Sequence, residues 1–519
     1  MKIIRVSASS LQDFRWMSVC VLLVEGCNDL RSRDSRSTAP SGYHLPMDPT
    51  PRIPLPEPVL EVARRLAEHG HDALLVGGAV RDALLDRPAT LDFDLVTDAP
   101  TPTIRDIARA TPGVRSTYDV GERFGTLGIA LEPEGRLEVS RYRATALDSA
   151  APSATRFAAD ARLRDLTVNA IAVDLASHTL LDPAHGRADL TANILRAPGN
   201  PRERFAEDPL RVLRAARFAA ELGFDLDPAT AAALPAAAPD LARTAAERIR
   251  EELTKLLLAP HAPTGLELLH ECGALATVLP EVAALDGLTQ PTFHDLDVLA
   301  HTIQAVGLAP PTPTLRWATL LHDVGKAPTR SVDPSGRIRF LGHAQAGADI
   351  AAAVLARLRF PVADARAITH LVATHMRLGE IDLDNPRSVD RAVRKLDLRA
   401  GGPEPHLLAT TEDAVELTLA DFAATAHRAE APALRERLET AIAASRERGT
   451  HRAVVSPISG GDIMRAFDLT EGPSVGVAKR AVERAVERGD LSAGDIEGAY
   501  AVAEAALAAR NPGDPGRDA

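Results

Sequence analysis

Leu75-Val76-Gly77-Gly78-Ala79-Val80-Arg81-Asp82, followed by Leu91-Asp92-Phe93-Asp94, is the stretch on which the fold turns. Leu74-Leu75-Val76 reads as a buried strand that stops at the glycine pair, and a short helix near Ala79–Leu85 follows. Leu91–Val96 alternates in period two and predicts a second strand, which puts Asp92 and Asp94 on one face. Two carboxylates held together repel unless a cation lies between them, and Mg²⁺ is their natural partner. Two such ions can activate an attacking oxygen and neutralise a leaving pyrophosphate. Gly77 and Gly78 let backbone N–H groups approach a phosphate, and Arg81, one turn into the helix, can add charge-assisted bonds. Working outward, a helix is expected near Thr103–Ala110. Thr126–Leu131 and Arg136–Arg141 read as a hairpin across Glu134-Gly135, which offers Glu138 as a third carboxylate from a neighbouring strand.

Two more constellations lie downstream. Asp208, Arg211, Arg214 and Arg217 recur every three residues, near one face of a helix. An Asp accepts from an exocyclic amine and an Arg donates to ring nitrogen or carbonyl, so one such pair can accept cytosine and adenine and refuse uracil and guanine. The plain alternative is an intrahelical ladder of salt bridges on a solvated face. The six arginines 196, 202, 204, 211, 214 and 217 also form a local basic stripe that a nucleic-acid backbone could follow. Further on, His322-Asp323 sits in the apolar run Leu320-Leu321-His322-Asp323-Val324-Gly325-Lys326, a pairing suited to a borderline divalent metal. His301, with His294 as its rival, stands upstream as a further ligand, and Asp421 stands downstream. His343 and His375 could extend the site to two metals.

The chain has 519 residues and is expected to hold several domains. Its net charge of −12 excludes a generally basic, histone-like nucleic-acid binder but leaves room for local basic surface. Aromatics are only 3%, and the Ala- and Leu-rich composition favours helix, which dominates from about Pro209 to Ala508. Three cysteines, Cys20, Cys27 and Cys272, make no disulfide framework and suit a reducing cytosol. No apolar run reaches the ~18–20 residues of a membrane span. Val19–Val24 could pass for a signal-peptide core, but Asp13 and Arg15 before it and Glu25 near Cys27 argue against export.

The ordered motifs resemble those of class II tRNA nucleotidyltransferases, that is, CCA-adding enzymes and bacterial poly(A) polymerases. The glycine turn and the two aspartates resemble the family's head. Gly121-Glu122-Arg123-Phe124-Gly125-Thr126 and Leu137-Glu138-Val139 resemble its central strands. Arg164-Asp165-Leu166-Thr167-Val168-Asn169-Ala170 resembles its RRDxTxNA motif, with Leu163 where the family has the first Arg. Leu181-Asp182-Pro183 through Asp189-Leu190, the Glu207–Phe218 run, and Glu247-Arg248-Ile249 with Glu252-Leu253 resemble the motifs that follow. The H…HD…D order resembles the HD phosphohydrolase superfamily, and Gly460-Gly461-Asp462 resembles the family's C-terminal helical module.

The resemblance implies an α+β protein: a small mixed-sheet, polymerase-beta-like head, then an all-helical neck, an HD body and a tail. Residues 1–46 are read as disordered or as a misassigned start, 47–195 as head, 196–285 as neck, 286–430 as HD body, 431–510 as tail and 511–519 as disordered. It implies addition of CMP and AMP to a tRNA 3′ end without a template, with pyrophosphate released. The catalytic residues would be Asp92, Asp94 and Glu138, with two Mg²⁺ in the head. Nucleotide contacts would come from Gly77, Gly78, Arg81, Arg164, Asp208, Arg211, Arg214 and Arg217. His301, His322, Asp323 and Asp421 would hold a divalent transition metal. The partners are the tRNA 3′ end, CTP and ATP, with no membrane and no obligate protein partner, and the location is cytoplasmic. In this family a flexible loop carrying Tyr and an Arg-His-Pro run is tied to the switch from C to A. Here the stretch between Arg143 and Asp160 reads Ala144-Thr145-Ala146-Leu147-Asp148-Ser149-Ala150-Ala151-Pro152 and is shorter. The readings left open are a CC-adding enzyme or a poly(A) polymerase of the same family and, from another class, an HD phosphohydrolase with a vestigial RNA-binding head.

Overall fold

A computed structural model describes residues 51–508 apart from 89–90, 121–124, 144–150, 291–295, 400–406, 449–455, 471, 489 and 493. Cys20, Cys27, Val19–Val24, the Gly121–Phe124 part of one motif, most of the short loop, His294 and the tail from 511 therefore lie outside the described residues.

The head is a mixed sheet. Helix α1 (Glu57–Glu68) buries Val59, Val62, Ala63 and Leu66, a spacing that makes one apolar stripe. Strand β1 (Leu74–Val76) is buried throughout, because it lies between two neighbours in a seven-stranded sheet. Helix α2 (Gly78–Leu84), strand β2 (Asp92–Thr97) and helix α3 (Thr101–Arg109) follow. Next come β3 (Val114–Val120), the hairpin β4 (Thr126–Leu131) and β5 (Arg136–Arg141), helix α4 (Ser153–Ala161), and β6 (Ala172–Asp174) with β7 (Thr179–Leu181). The order across the sheet is β3-β4-β5-β2-β1-β6-β7, and β2 with β5 is its parallel pair.

Helix α5 (Gly186–Ala192) and the two-residue strands β8 (Ile194–Leu195) and β9 (Asp225–Leu226) lead out of the head. Helices α6 (Pro201–Glu207) and α7 (Leu210–Leu222) run between β8 and β9, which pair in parallel. From there the described residues fall mostly in helices, with two short antiparallel strand pairs, Arg330–Val332/Ile338–Phe340 and Leu398–Arg399/Leu407–Ala409. One apolar core extends from Phe205 to Ile442 without a break between neck and HD body, and Trp317 spans it by donating its indole N–H to Thr254 Oγ1 at 3.0 Å. Helix Ala431–Glu447 seats Leu438 and Ile442 in that core, so by packing it goes with the body. The three helices beyond it close over a core of their own, from Ile458 to Ala503.

Candidate active site and metal centre

Strand β2 alternates as its period demands. Phe93 and Leu95 face inward, while Asp92 and Asp94 stand exposed on the other face. Across the parallel pairing Asp94 lies opposite Glu138 and Asp92 opposite Arg136, so three acids and one base share a surface. Gly77 closes β1 beside them with φ +76°, and a Cβ there would come 3.2 Å from Asp94 Oδ2. The positive φ strains any other residue there, and the carboxylate adds a tight contact. Asp94 is open to solvent yet crowded by protein on most sides. That crowding, and then the Glu138 charge, push its carboxyl up to about 6, against the pull of Arg164 and Arg214. An acid raised by a neighbouring acid is one that a cation would relieve, and a set of carboxylates without His or Cys suits hard Mg²⁺. Arg136, a residue the sequence reading left aside, has Nε 3.5 Å from Asp92 Oδ1 and 3.6 Å from Glu138 Oε1.

Arg81 was expected to reach a phosphate. The structure turns it inward: only 6% exposed, it donates to Asp82 Oδ1 and to Asn169 Oδ1, each at 2.8 Å. It thereby ties the helix after the glycine turn to the 164–170 motif. Arg81, Arg214 and Arg217 all lie over the ring of Phe218, with Arg217 closest at 3.9 Å from the centroid.

Asp208 ends α6 in extended conformation, and α7 begins after Pro209, so Asp208 and Arg211 flank a helix start. Asp208 Oδ2 accepts from Arg248 at 2.9 Å, while Arg211 donates to the Leu163 carbonyl at 2.8 Å. Arg214 donates to Asp165 and to Glu252, and Arg217 donates to Glu252 Oε2 at 2.6 Å and to Glu221 at 2.7 Å. Opposing charge and direct bonds from Arg214 hold the buried Asp165 carboxyl well below the usual range despite the cost of burial. Arg164 is buried and donates to Asp160 at 2.9 Å. The ladder thus exists, but its rungs join the head motif, α7 and helix Ala246–Leu258. Within the basic stripe, Arg196, Arg204, Arg211, Arg214 and Arg217 have acidic partners, Arg204 and Arg217 are buried, and Arg202 is exposed. Asp160, Asp165, Arg248 and Glu252 were given no role by sequence reasoning. The available signal was that so many arginines in an apolar helix require acids to answer them.

The second centre is largely buried, with Asp421 its most exposed member. His301, on helix Val298–Leu308, places Nε2 2.8 Å from Asp421 Oδ1 on helix Thr411–Ala423. His322 Nε2 lies 3.2 Å from Asp323 Oδ2 and 3.5 Å from Asp421 Oδ1. His343 and His375 face each other Nε2 to Nε2 at 3.2 Å, and they lie 3.7 and 4.0 Å from Asp323 Oδ1. Each Nδ1 of the four histidines points at a backbone carbonyl, of Ala424, Thr319, Phe340 and Val372 respectively. Bonding through Nδ1–H directs each Nε2 inward, where the neutral ring offers a lone pair, the arrangement found around metal-ligating imidazoles. Buried His322 Nε2 makes no hydrogen bond of good geometry. The donors therefore fit a divalent ion, and two groups are compact enough to hold one: His301, His322 and Asp323, and Asp323, His343 and His375. Burial pushes the His322 pKa down, but Asp323 and Asp421 outweigh it and raise it to about 10. Burial and the neighbouring His322 charge lower His375 to about 4. Lys326 Nζ, 2.6 Å from Asp323 Oδ2, also donates to Gln290.

Among the described residues, no helix is long and apolar enough to cross a membrane. Residues 73–196 match the poly A polymerase head domain, 223–285 the "probable RNA and SrmB-binding site of polymerase A", and 300–423 the HD domain. The chain is 35% identical over 440 residues to the A-adding tRNA nucleotidyltransferase of Deinococcus radiodurans, covering 81% of this chain and 92% of that one. It is 36% identical over 439 residues to the CC-adding tRNA nucleotidyltransferase of Thermus thermophilus, covering 80% and 90%. The fold matches the CCA-adding enzyme of Bacillus stearothermophilus in complex with CTP, with a TM-score of 0.58, 25% identity, and 87% and 98% of the two chains covered.

Proposed function

This chain belongs to the class II CCA-adding tRNA nucleotidyltransferase and poly(A) polymerase family and carries an HD domain, and from that premise we propose how its residues divide the work. It is a nucleotidyltransferase that extends a tRNA 3′ end with CMP and AMP, drawn from CTP and ATP. Asp92 and Asp94 would hold Mg²⁺, which when bound lowers the pKa of the attacking hydroxyl and neutralises the leaving pyrophosphate. The terminal ribose oxygen forms a bond to the α-phosphorus as the bond to the bridging α–β oxygen breaks, and the hydroxyl proton is assigned to Glu138. Arg164 is assigned to the nucleotide. Asp208 and Arg211 are assigned to the base, with Arg214 and Arg217 supporting the helix that presents them. The observation that carries this reading is the register of β2 against β5, which sets Asp94 opposite Glu138 on the face that bears Asp92.

The test uses tRNA transcripts ending before CCA, after C and after CC, with labelled CTP or ATP and Mg²⁺. Addition of C to the first two and of A to the third is expected, and no incorporation on any acceptor overturns the reading. The shortened 144–152 stretch favours a second reading, CC addition alone, which incorporation of C without A would establish. Unlimited A addition would instead point to a poly(A) polymerase.

In the HD body, His301, His322, Asp323 and Asp421 would hold one divalent transition metal, with His343 and His375 extending the site to a second. A hydrolytic activity on phosphate esters is assigned to that centre. Retention of transfer by Asp323→Ala with loss of bound metal would separate the two sites, and loss of both activities would overturn the division.

A further inference from the structure

Asp160 lies wholly inside the protein near the end of α4, and both of its carboxylate oxygens are engaged. Oδ1 accepts the backbone N–H of Arg143 at 2.7 Å, and Oδ2 accepts the Nε–H of Arg164 at 2.9 Å. Arg143 stands two residues beyond β5, at the start of the segment that leads to α4. A second acceptor repeats the link. The Leu163 carbonyl receives Arg143 NH1 at 3.3 Å and Arg211 NH2 at 2.8 Å. One residue at the root of that segment is thus joined, through two shared acceptors, to both Arg164 and Arg211.

Packing does not require an acid at 160. Phe157 and Ala161 already fill the apolar side of α4, and a buried carboxylate is costly unless its charge is answered. Arg164 supplies that answer, and its own charge in turn acts on Asp94. We infer that Asp160 is a positioning residue for the nucleotide: it fixes the Arg164 guanidinium and ties that setting to the course of the chain at Arg143. The inference rests on the assignment of Arg164 to the nucleotide.

Asp160→Asn keeps an acceptor for the Arg143 N–H but turns an amide N–H₂ toward Arg164. The loss of one charge-assisted bond is expected to raise the KM for CTP about tenfold. The KM for tRNA should stay unchanged, and the effect should vanish in an Arg164→Ala background. A wild-type KM for CTP in Asp160→Asn, or the same rise in the Arg164→Ala background, overturns the inference. Arg164→Ala without any change in nucleotide KM overturns instead the assignment beneath it. If Asp160→Asn unfolds, Asp160→Glu carries the test. It lengthens the acid by one methylene and so displaces the carboxylate from the Arg164 Nε–H while keeping its charge, and a rise of about threefold in nucleotide KM that is absent in the Arg164→Ala background is expected. No rise overturns the inference.

Discussion

The head and the HD body both gather acids where a cation would bind, yet they do so in opposite ways. In the head, carboxylates stand on neighbouring strands, open to solvent, and one of them carries a raised pKa. In the body, His322 and Asp323 are 0% and 1% exposed, each imidazole is oriented from behind by a carbonyl, and Asp323 and Asp421 raise the His322 pKa against the cost of burial. The difference follows from what each must admit. A surface that receives a polynucleotide end and a triphosphate has to stay accessible, and strands present side chains outward at fixed spacing. A compact metal centre gains from helices, which hold each ring against a backbone carbonyl and leave the inward atoms for an ion.

The sharpest way to break this comparison is to remove one acid from each side. Asp94→Ala should reduce nucleotide transfer by at least about 10³-fold, since several kcal/mol of charge stabilisation are lost. Metal content of the body, read by elemental analysis, should be unchanged, and Asp323→Ala should give the reverse. Next in size is the proton on His322. Because its pKa is raised to about 10 without metal, binding a divalent ion near pH 7 must displace that proton. Apparent affinity should then rise about tenfold per pH unit as pH increases. Calorimetry in buffers of different ionisation enthalpy should show close to one proton released, and no release would mean that the imidazole is neutral in the empty site. In the head the sign is that of a carboxyl. With Asp94 raised to about 6, transfer at limiting Mg²⁺ should fall as pH drops through about 6, and saturating Mg²⁺ should move the midpoint lower. A midpoint that ignores Mg²⁺ would place the titration elsewhere. The smallest effect expected is at Arg136, an exposed cation beside Asp92 and Glu138. Arg136→Ala should lower the Mg²⁺ needed for half-maximal transfer about two- to threefold, the range of an exposed ion pair.

What could be read from the sequence divides along similar lines. The β4–β5 hairpin and the outward pair Asp92/Asp94 were legible because a half-buried strand writes its period into adjacent residues. Strand β3 was not: it is a sheet edge with no fully buried residue, and Val114–Val120 shows no clean alternation. The four histidines and two aspartates of the body were legible as types in an apolar setting, but not their carbonyl supports, since any residue can supply a carbonyl. The partners of the α7 arginines were hidden for a related reason. Asp165 and Glu252 lie 49 and 38 residues from Arg214, and only the fold brings them together. Arg81 shows the limit of arguing from residue type, because a guanidinium near a glycine turn can face the interior as readily as a ligand.

Leu163 stands where the family pattern has an arginine, and what it contributes here is its main-chain oxygen, shared by Arg143 and Arg211. A contact made by backbone survives replacement of the side chain that bears it. The two arginines anchored at position 163 are therefore held by the path of the chain, whichever side chain that position bears.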